Sequence, residues 1–169
     1  MTHLKNIKLI VLDVDGTLSD GKVYLGTNGS EFKAFSIKDG LVLAALSRVG
    51  IEAIILTGRK SEAVDIRAKE LGIIAIQGIS DKKTELDSLL VTKGLTYENV
   101  AYIGDDLNDF STMSQAAFKG APVDAVSEIK AIADYVSRSK AGDGAVREII
   151  EHLLKQTGHW KDILSLYGV

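Results

Sequence analysis

Two aspartates, Asp13 and Asp15, directly follow an apolar segment near the start of the chain. In an extended chain residues i and i+2 project to the same side, so both carboxylates can face one ligand where the strand ends. Because adjacent carboxylates repel each other, the pair requires a cation, most simply Mg2+ with oxygen ligands. Asp13 is then free to act as a nucleophile on phosphorus, and Asp15 to move a proton. The alternative is that both aspartates only cap and turn the chain.

A second acidic segment, GDDLND at residues 104–109, follows another apolar run. Asp105, Asp106 and Asp109 would repel one another strongly without a cation, so the segment is interpreted as the second half of the metal site. An acidic helix N-terminus, which the helix dipole favours, accounts for one or two of these acids more easily than for three.

Phosphate-binding groups are predicted in two other loops. The hydroxyl of Thr57 and backbone N–H groups near Gly58 can hold phosphate oxygens, although Thr57 could also merely cap a helix. Arg59 in the same loop is assigned to substrate recognition. Lys82 opens a later helix, where its ammonium could neutralise Asp13 and the phosphate together, whereas most lysines in such loops are solvated.

The elements that position these residues alternate along the chain. Apolar runs end in small polar residues, and segments of helical periodicity lie between them; the runs are at residues 7–12, 51–56, 73–76 and 99–103. This alternation predicts an α/β fold, a doubly wound parallel sheet with ligands at the carboxyl ends of its strands. We expect residues 1–169 to form a single domain that ends in an amphipathic helix over 145–157.

The composition bears on the kind of partner this protein has. The 169 residues carry a formal net charge of −3, so there is no broad basic field to hold nucleic acid. The absence of cysteine means no disulfides and no thiol chemistry. No apolar run approaches membrane-spanning length, and the first residues lack an apolar signal core. We therefore expect a cytoplasmic protein that binds neither nucleic acid nor membrane.

Taken together, the motifs resemble the haloacid dehalogenase superfamily of phosphotransferases. DVDGT at residues 13–17 matches the first motif, Thr57 the second, Lys82 the third and residues 104–109 the fourth. The resemblance implies that Asp13 forms an aspartyl-phosphate, that Asp15 is the acid and base, and that Thr57 and Lys82 hold the phosphoryl group. It also implies Mg2+ on Asp13, the Asp15 carbonyl oxygen and Asp105.

The same resemblance assigns supporting roles around that centre. Asp106 and Asp109 are expected to support the metal site. Substrate contacts are assigned to the remaining motif residues, which are Thr17, Gly58, Arg59 and Asn108. Too few residues separate the motifs to form the cap domain that usually closes such a site.

Residues 21–37 are predicted to form a β-hairpin that projects from the sheet, with a two-residue Asn28-Gly29 turn. Tyr24, Leu25, Phe32 and Phe35 give the hairpin more apolar surface than it can bury alone. The hairpin either packs on its own domain or docks on another subunit. A capless enzyme must admit bulky substrates or borrow a lid, and this hairpin is the obvious lid.

The order of the motifs along nearly the whole chain resembles the 3-deoxy-D-manno-octulosonate 8-phosphate phosphatase family. The resemblance implies a phosphorylated sugar acid as substrate, a role in lipopolysaccharide synthesis, and a homotetramer whose hairpins cap neighbouring sites. Thr17 and Ala141 depart from this family, which often has valine and glycine there, and the C-terminus is short.

Two other functions stay open from the sequence. The sister activity is hydrolysis of sialic-acid-type nonulosonate 9-phosphates, although Arg59, which could pair with a sugar carboxylate, favours the octulosonate. The other is a receiver-like regulatory domain that is phosphorylated on Asp13 without turnover. Such a domain would need neither Asp15 as an acid nor Lys82.

Overall fold

The computed structural model describes residues 2–169, with side chains described from Leu4 onwards. Within this part of the chain, six parallel strands form one sheet in the order β5-β4-β1-β6-β7-β8, and two antiparallel strands form a separate hairpin. The strands are β1 (Leu9–Leu12), β2 (Tyr24–Leu25), β3 (Glu31–Phe32), β4 (Glu52–Thr57), β5 (Ile74–Gln77), β6 (Val100–Ile103), β7 (Phe118–Ala121) and β8 (Tyr135–Val136). The helices are α1 (Ile37–Ala45), α2 (Glu62–Leu71), α3 (Lys82–Lys93), α4 (Leu107–Met113), α5 (Ser127–Ile132), α6 (Ala145–Thr157) and α7 (Trp160–Ser165). The predicted doubly wound α/β fold is confirmed.

Strand β1 lies at the centre of the sheet and is buried on both faces. Ile10 and Leu12 pack into one apolar core with α1, α2, α6 and α7, whereas Leu9 and Val11 pack into a second core with α3, α4 and α5. The split follows from the period of two along a strand, which sends alternate side chains to opposite faces. A continuous apolar run is therefore what a central parallel strand needs.

The order of the strands reverses direction at β1. The chain moves from β1 to β4 and β5 on one side, then crosses to β6, β7 and β8 on the other. Loops that leave neighbouring strands in opposite directions open a crevice at the carboxyl ends, which is where ligands bind in sheets of this kind. The loops after β1, β4 and β6 meet at this point, and they carry the predicted site residues except Lys82, which lies at the start of α3 after β5.

The hairpin is shorter than the sequence predicts. Only Tyr24–Leu25 and Glu31–Phe32 pair, and residues 26–30 form a loop longer than the expected two-residue turn. The Asn28 side chain explains the wider loop, because its Oδ1 accepts hydrogen bonds from the backbone N–H and the hydroxyl of Ser30. Within residues 2–169 this hairpin is the only element between β1 and α1, and no cap domain is present.

Most predicted boundaries agree with the structure, and helix α6 spans the expected residues 145–157. Helix α1 begins at Ile37, where the Ser36 side chain caps it by accepting a hydrogen bond from the Asp39 backbone N–H. Helix α4 ends at Met113, and the Ala117 N–H donates to the Val100 carbonyl on the way into β7. Among the described helices, none has both the length and the apolar character needed to span a membrane.

Candidate active site

The loop after β1 brings Asp13 and Asp15 to the crevice. Asp13 is buried, and its backbone N–H continues the sheet ladder by donating to the Ile103 carbonyl at 3.0 Å. Gly16 has a φ of +93°, and a Cβ at this position would overlap the Asp105 carboxylate. Glycine at residue 16 is therefore what lets the loops after β1 and β6 approach so closely.

A buried lysine joins two of the acidic residues. Lys82 Nζ donates to Asp13 Oδ1 at 2.6 Å and to Asp109 Oδ1 at 2.7 Å. The Tyr102 hydroxyl donates to the same Asp109 oxygen at 2.7 Å. Burial acts to lower the pKa of Lys82, but the carboxylates of Asp109 and Asp13 outweigh it and the pKa is raised. Lys82 therefore places a fixed positive charge beside Asp13.

The loop after β6 places Asp105 opposite Asp13. The Asp105 backbone N–H donates to Asp109 Oδ2 at 3.1 Å, and the Thr17 hydroxyl donates to Asp105 Oδ1 at 2.9 Å. One carboxylate oxygen from each of Asp13, Asp105 and Asp109 lies within 4.8 Å of the other two. The structure thus gathers acids from two distant segments into one oxygen-lined centre.

Crowding these carboxylates away from water disfavours their charged forms. Burial, assisted by Asp109 and opposed by Lys82, raises the pKa of Asp13 to about 6. Burial and the charge of Asp13, opposed by the Thr17 hydrogen bond, raise the pKa of Asp105 to about 8. A divalent cation would offset this repulsion, and carboxylate oxygens are the donors that Mg2+ prefers. The residues present therefore fit a Mg2+ site.

A cavity of about 400 Å³ opens above Asp13. Thr57 is buried at the end of β4, and Arg59 extends from the same loop into solvent. Such a cavity can take a phosphate group at its floor and a larger polar group at its mouth. Its lining contains Leu107 and seven of the residues predicted from the sequence: Asp13, Asp15, Thr57, Gly58, Arg59, Asp106 and Asn108.

Thr17 and Asp109 do not line this cavity, whereas Asp106 lines it and also caps helix α4. Thr17, expected to contact substrate, is completely buried and its hydroxyl is bonded to Asp105. Asp106 is exposed and caps helix α4, accepting from the Leu107 N–H at 2.7 Å. Asp109 is completely buried, with hydrogen bonds at both carboxylate oxygens. These contacts orient the loop after β6.

Sequence reasoning missed three residues of the site. From the sequence Tyr102 is predicted only as an apolar core residue of β6, because no neighbouring residue in the sequence indicates that its hydroxyl donates to Asp109. Glu31 and Lys33 lie at the end of the hairpin, where Lys33 pairs with Asp15 and Glu31 pairs with Arg59 at 2.8 Å. The one usable signal is that these two charged residues flank Phe32 in the apolar part of the hairpin, in the sequence EFKAF.

The fold and the four motifs define a haloacid dehalogenase-like hydrolase, and the model of that family matches residues 74–149. The 3-deoxy-D-manno-octulosonate 8-phosphate phosphatase of Salmonella typhi is 43% identical over 159 residues, which cover 94% of this chain and 85% of that protein. The chain belongs to the 3-deoxy-D-manno-octulosonate 8-phosphate phosphatase family.

Solved structures agree with this membership. The phosphatase of the same name from Moraxella catarrhalis, in complex with magnesium ion, phosphate ion and a KDO molecule, is 42% identical with a TM-score of 0.93, over 98% of this chain and 96% of that one. The cobalt-bound deoxy-D-mannose-octulosonate 8-phosphate phosphatase from Haemophilus influenzae is 34% identical with a TM-score of 0.87, over 94% of this chain and 93% of that one.

Proposed function

We propose that this chain is a Mg2+-dependent phosphatase that hydrolyses 3-deoxy-D-manno-octulosonate 8-phosphate. The observation that carries the proposal is the setting of Asp13, which lies at the floor of the cavity, 2.6 Å from Lys82 and opposite Asp105. The relative from Salmonella typhi is named for this activity, and the structure from Moraxella catarrhalis contains a magnesium ion, a phosphate ion and a KDO molecule. The first supports the substrate, and the second supports both the substrate and the metal.

Hydrolysis would proceed in two steps through Asp13. First, a carboxylate oxygen of Asp13 attacks phosphorus, the bond from phosphorus to the sugar oxygen breaks, and Asp15 gives that oxygen a proton. Second, water attacks the phosphorus of the aspartyl-phosphate, Asp15 takes the proton of the water, and the bond to Asp13 breaks to release phosphate. Thr57, the backbone N–H groups near Gly58, and Lys82 hold the phosphoryl oxygens in both steps.

The metal would be held where the loops after β1 and β6 meet. Asp13, the carbonyl oxygen of Asp15, and Asp105 would be its protein ligands. When bound, Mg2+ neutralises phosphoryl charge so that an anionic nucleophile can approach. Asp109 and Asp106 would support the site, since Asp109 already accepts hydrogen bonds at both oxygens and Asp106 fixes the start of helix α4.

The sugar acid would be recognised at the mouth of the cavity. Arg59 lines the cavity and is 45% exposed, so its guanidinium can form a bidentate pair with the sugar carboxylate. Asn108 lies across the opening on helix α4 and offers an amide to the sugar hydroxyls. Arg59 now pairs with Glu31, which the substrate carboxylate would have to replace.

The enzyme would act as a homotetramer in which the hairpin of one subunit covers the site of a neighbour. Three large apolar side chains of the hairpin are exposed in the single chain, with Leu25 at 72%, Phe32 at 61% and Tyr24 at 41%. Such a group of apolar side chains favours burial against another surface. Phe35, counted with them in the sequence, instead packs on the core of its own domain.

Phosphate release with Mg2+ tests the function. We expect a kcat/KM at least tenfold higher for 3-deoxy-D-manno-octulosonate 8-phosphate than for a nonulosonate 9-phosphate, and no turnover by Asp13→Asn. A higher kcat/KM for the nonulosonate ester would overturn the substrate assignment. Incorporation of a single phosphate on Asp13 without turnover would instead support the receiver-like alternative.

A further inference from the structure

A lysine of the hairpin lies against the residue assigned as acid and base. The Lys33 ammonium forms a hydrogen-bonded ion pair with Asp15 Oδ1, and the Lys33 side chain is only 1% exposed. Lysine is almost never buried so completely unless it is paired, because removing an ammonium from water is costly. The partners of Lys33 must therefore offset that cost.

Those partners form a ring of alternating charges. Lys33 Nζ lies 3.1 Å from Glu31 Oε1, and Glu31 Oε2 accepts from Arg59 at 2.8 Å. The ring closes where Arg59 Nη1 lies 4.0 Å from Asp15 Oδ2. Asp15 and Arg59 line the cavity, whereas Glu31 and Lys33 come from the hairpin. The hairpin thus supplies two charges to the site of its own chain.

We propose that Lys33 is a positioning residue that fixes the orientation of the Asp15 carboxylate. The inference rests on the proposed function, in which Asp15 moves protons. Because Lys33 occupies Oδ1, the second oxygen, Oδ2, is the one left to work in the cavity. Oδ2 gives its proton to the sugar oxygen as the bond from that oxygen to phosphorus breaks, and it then takes a proton from the attacking water.

A purely structural role is the competing explanation, since Lys33 could simply anchor the hairpin. The two roles differ in how they depend on the leaving group. An alkyl leaving group needs a proton as its bond to phosphorus breaks, whereas the p-nitrophenolate of p-nitrophenyl phosphate leaves without one. Misplacing Asp15 should therefore slow the first step for the sugar ester far more than for the aryl ester.

The test compares Lys33→Met and Lys33→Arg with the wild-type chain, all saturated with Mg2+. For the sugar ester we expect Lys33→Met to lower kcat by ~100-fold, the smaller end of general acid–base effects, with KM changed less than threefold. Lys33→Arg keeps a cationic donor and should recover at least a tenth of the wild-type kcat. Single-turnover phosphorylation by the aryl ester should slow less than threefold in Lys33→Met.

Lys69→Met is the control, because Lys69 is an exposed lysine on helix α2, outside both the hairpin and the cavity. It should leave kcat unchanged. An unchanged kcat in Lys33→Met, or an effect confined to KM, would overturn the proposal. Equal slowing of the phosphorylation step with the sugar ester and with the aryl ester would also overturn it. Should Lys33→Met fail to fold, Lys33→Gln against Lys33→Arg gives the same comparison. A wild-type chain that hydrolyses neither ester would refute the proposed function itself.

Discussion

The Thr17 hydroxyl donates to Asp105 Oδ1 at 2.9 Å, and this bond joins two loops whose residues are 88 positions apart in the chain. Thr17 is completely buried, whereas Asp105 is half-buried. The bond acts against the burial that raises the pKa of Asp105, because a donor on the carboxylate favours its charged form. Thr17 thereby orients one proposed Mg2+ ligand and keeps it easier to ionise.

Thr17→Val should weaken Mg2+ binding modestly. Valine keeps the shape of threonine but removes the donor, so we expect the Kd to rise about threefold, which is about 0.7 kcal/mol and within the net worth of one hydrogen bond. The chain should still fold, since the family that its sequence resembles often has valine at the position of Thr17. Isothermal titration with Mg2+ measures the change.

Thr112→Val is the matched control for Thr17→Val. Thr112 is also completely buried, but its hydroxyl has no hydrogen-bond partner. We expect this variant to bind Mg2+ like the wild type and to be at least as stable, because it removes an unsatisfied polar atom. Equal Mg2+ affinities for both variants would show that the Thr17 hydroxyl does not orient Asp105.

Mg2+ should stabilise the folded chain, because the unfolded chain does not bring Asp13 and Asp105 together. At a concentration about 100-fold above its Kd, the ion should add about 2.7 kcal/mol to the free energy of unfolding. Urea unfolding with Mg2+ and with a chelator measures this difference. Asp105→Asn should be more stable than the wild type in chelator, since it removes an acid whose charged form is disfavoured by burial. The same variant should gain little stability from Mg2+. Identical urea midpoints for the wild type in both conditions would contradict the site.

Asp15→Asn should abolish turnover while Mg2+ still binds. Asparagine keeps the backbone carbonyl assigned to the metal but can neither give nor take the proton, so we expect kcat to fall by ~100-fold or more. Phosphate release and Mg2+ titration on the same preparation separate the two effects. Normal turnover by this variant would refute the role assigned to Asp15.

Asp39 should make stability depend on pH. Its carboxylate is buried, accepts from the Arg147 N–H at 2.7 Å through Oδ1, and leaves Oδ2 without a partner. Burial, opposed by the backbone hydrogen bonds from Arg147 and Gly144, raises the pKa of Asp39 from 3.8 to about 6. Between these values the folded state binds more protons than the unfolded state. The stabilising contribution is therefore complete below about pH 4 and is lost as the pH rises through 6.

Asp39→Asn removes that titration but keeps an oxygen that can accept from the Arg147 N–H. We expect this variant to be less stable than the wild type near pH 4. As the pH rises past 6, its free energy of unfolding should increase relative to that of the wild type by about 1.4 kcal/mol for each unit by which the pKa of Asp39 differs between the folded and unfolded states. Urea unfolding across pH 4 to 7.5 measures both curves. Glu98→Gln, which removes an exposed charge, is the control, and its plot of unfolding free energy against pH should be parallel to that of the wild type. A parallel curve for Asp39→Asn would contradict the assignment.

Phe32→Asp should reduce the size of the assembly. Phe32 is exposed on the hairpin, so a charge there opposes burial against another subunit without disturbing the core. Light scattering should give a smaller mass than for the wild type, together with weaker catalysis. Val91→Asp, at an 81% exposed position on helix α3, should leave the mass unchanged. A fully active Phe32→Asp monomer would mean that the hairpin is not a lid between subunits.

Local patterns were enough to predict the fold and the close approach of Asp13 and Asp105. The apolar run before Asp13 requires a buried strand, and alternation with helices requires a parallel sheet whose carboxyl ends meet. Asp105 therefore had to come near Asp13, because both follow central strands of one sheet. Helix α6 could be predicted over 145–157 because its apolar face repeats at the period of a helix and glycines flank it.

Tertiary structure alone decided which polar groups are partners. Only the family resemblance singled out Lys82 in the sequence, since Lys82 and Lys83 are adjacent and chemically identical. In the structure Lys82 reaches Asp13, which lies 69 positions away, while Lys83 pairs with Asp87 on its own helix. The contact of Lys33 with Asp15 likewise depends on how the hairpin folds back. Periodicity and turn residues act over a few positions, so their effects can be predicted from the sequence alone. Hydrogen bonds and ion pairs between distant segments exist only once packing has set the distances.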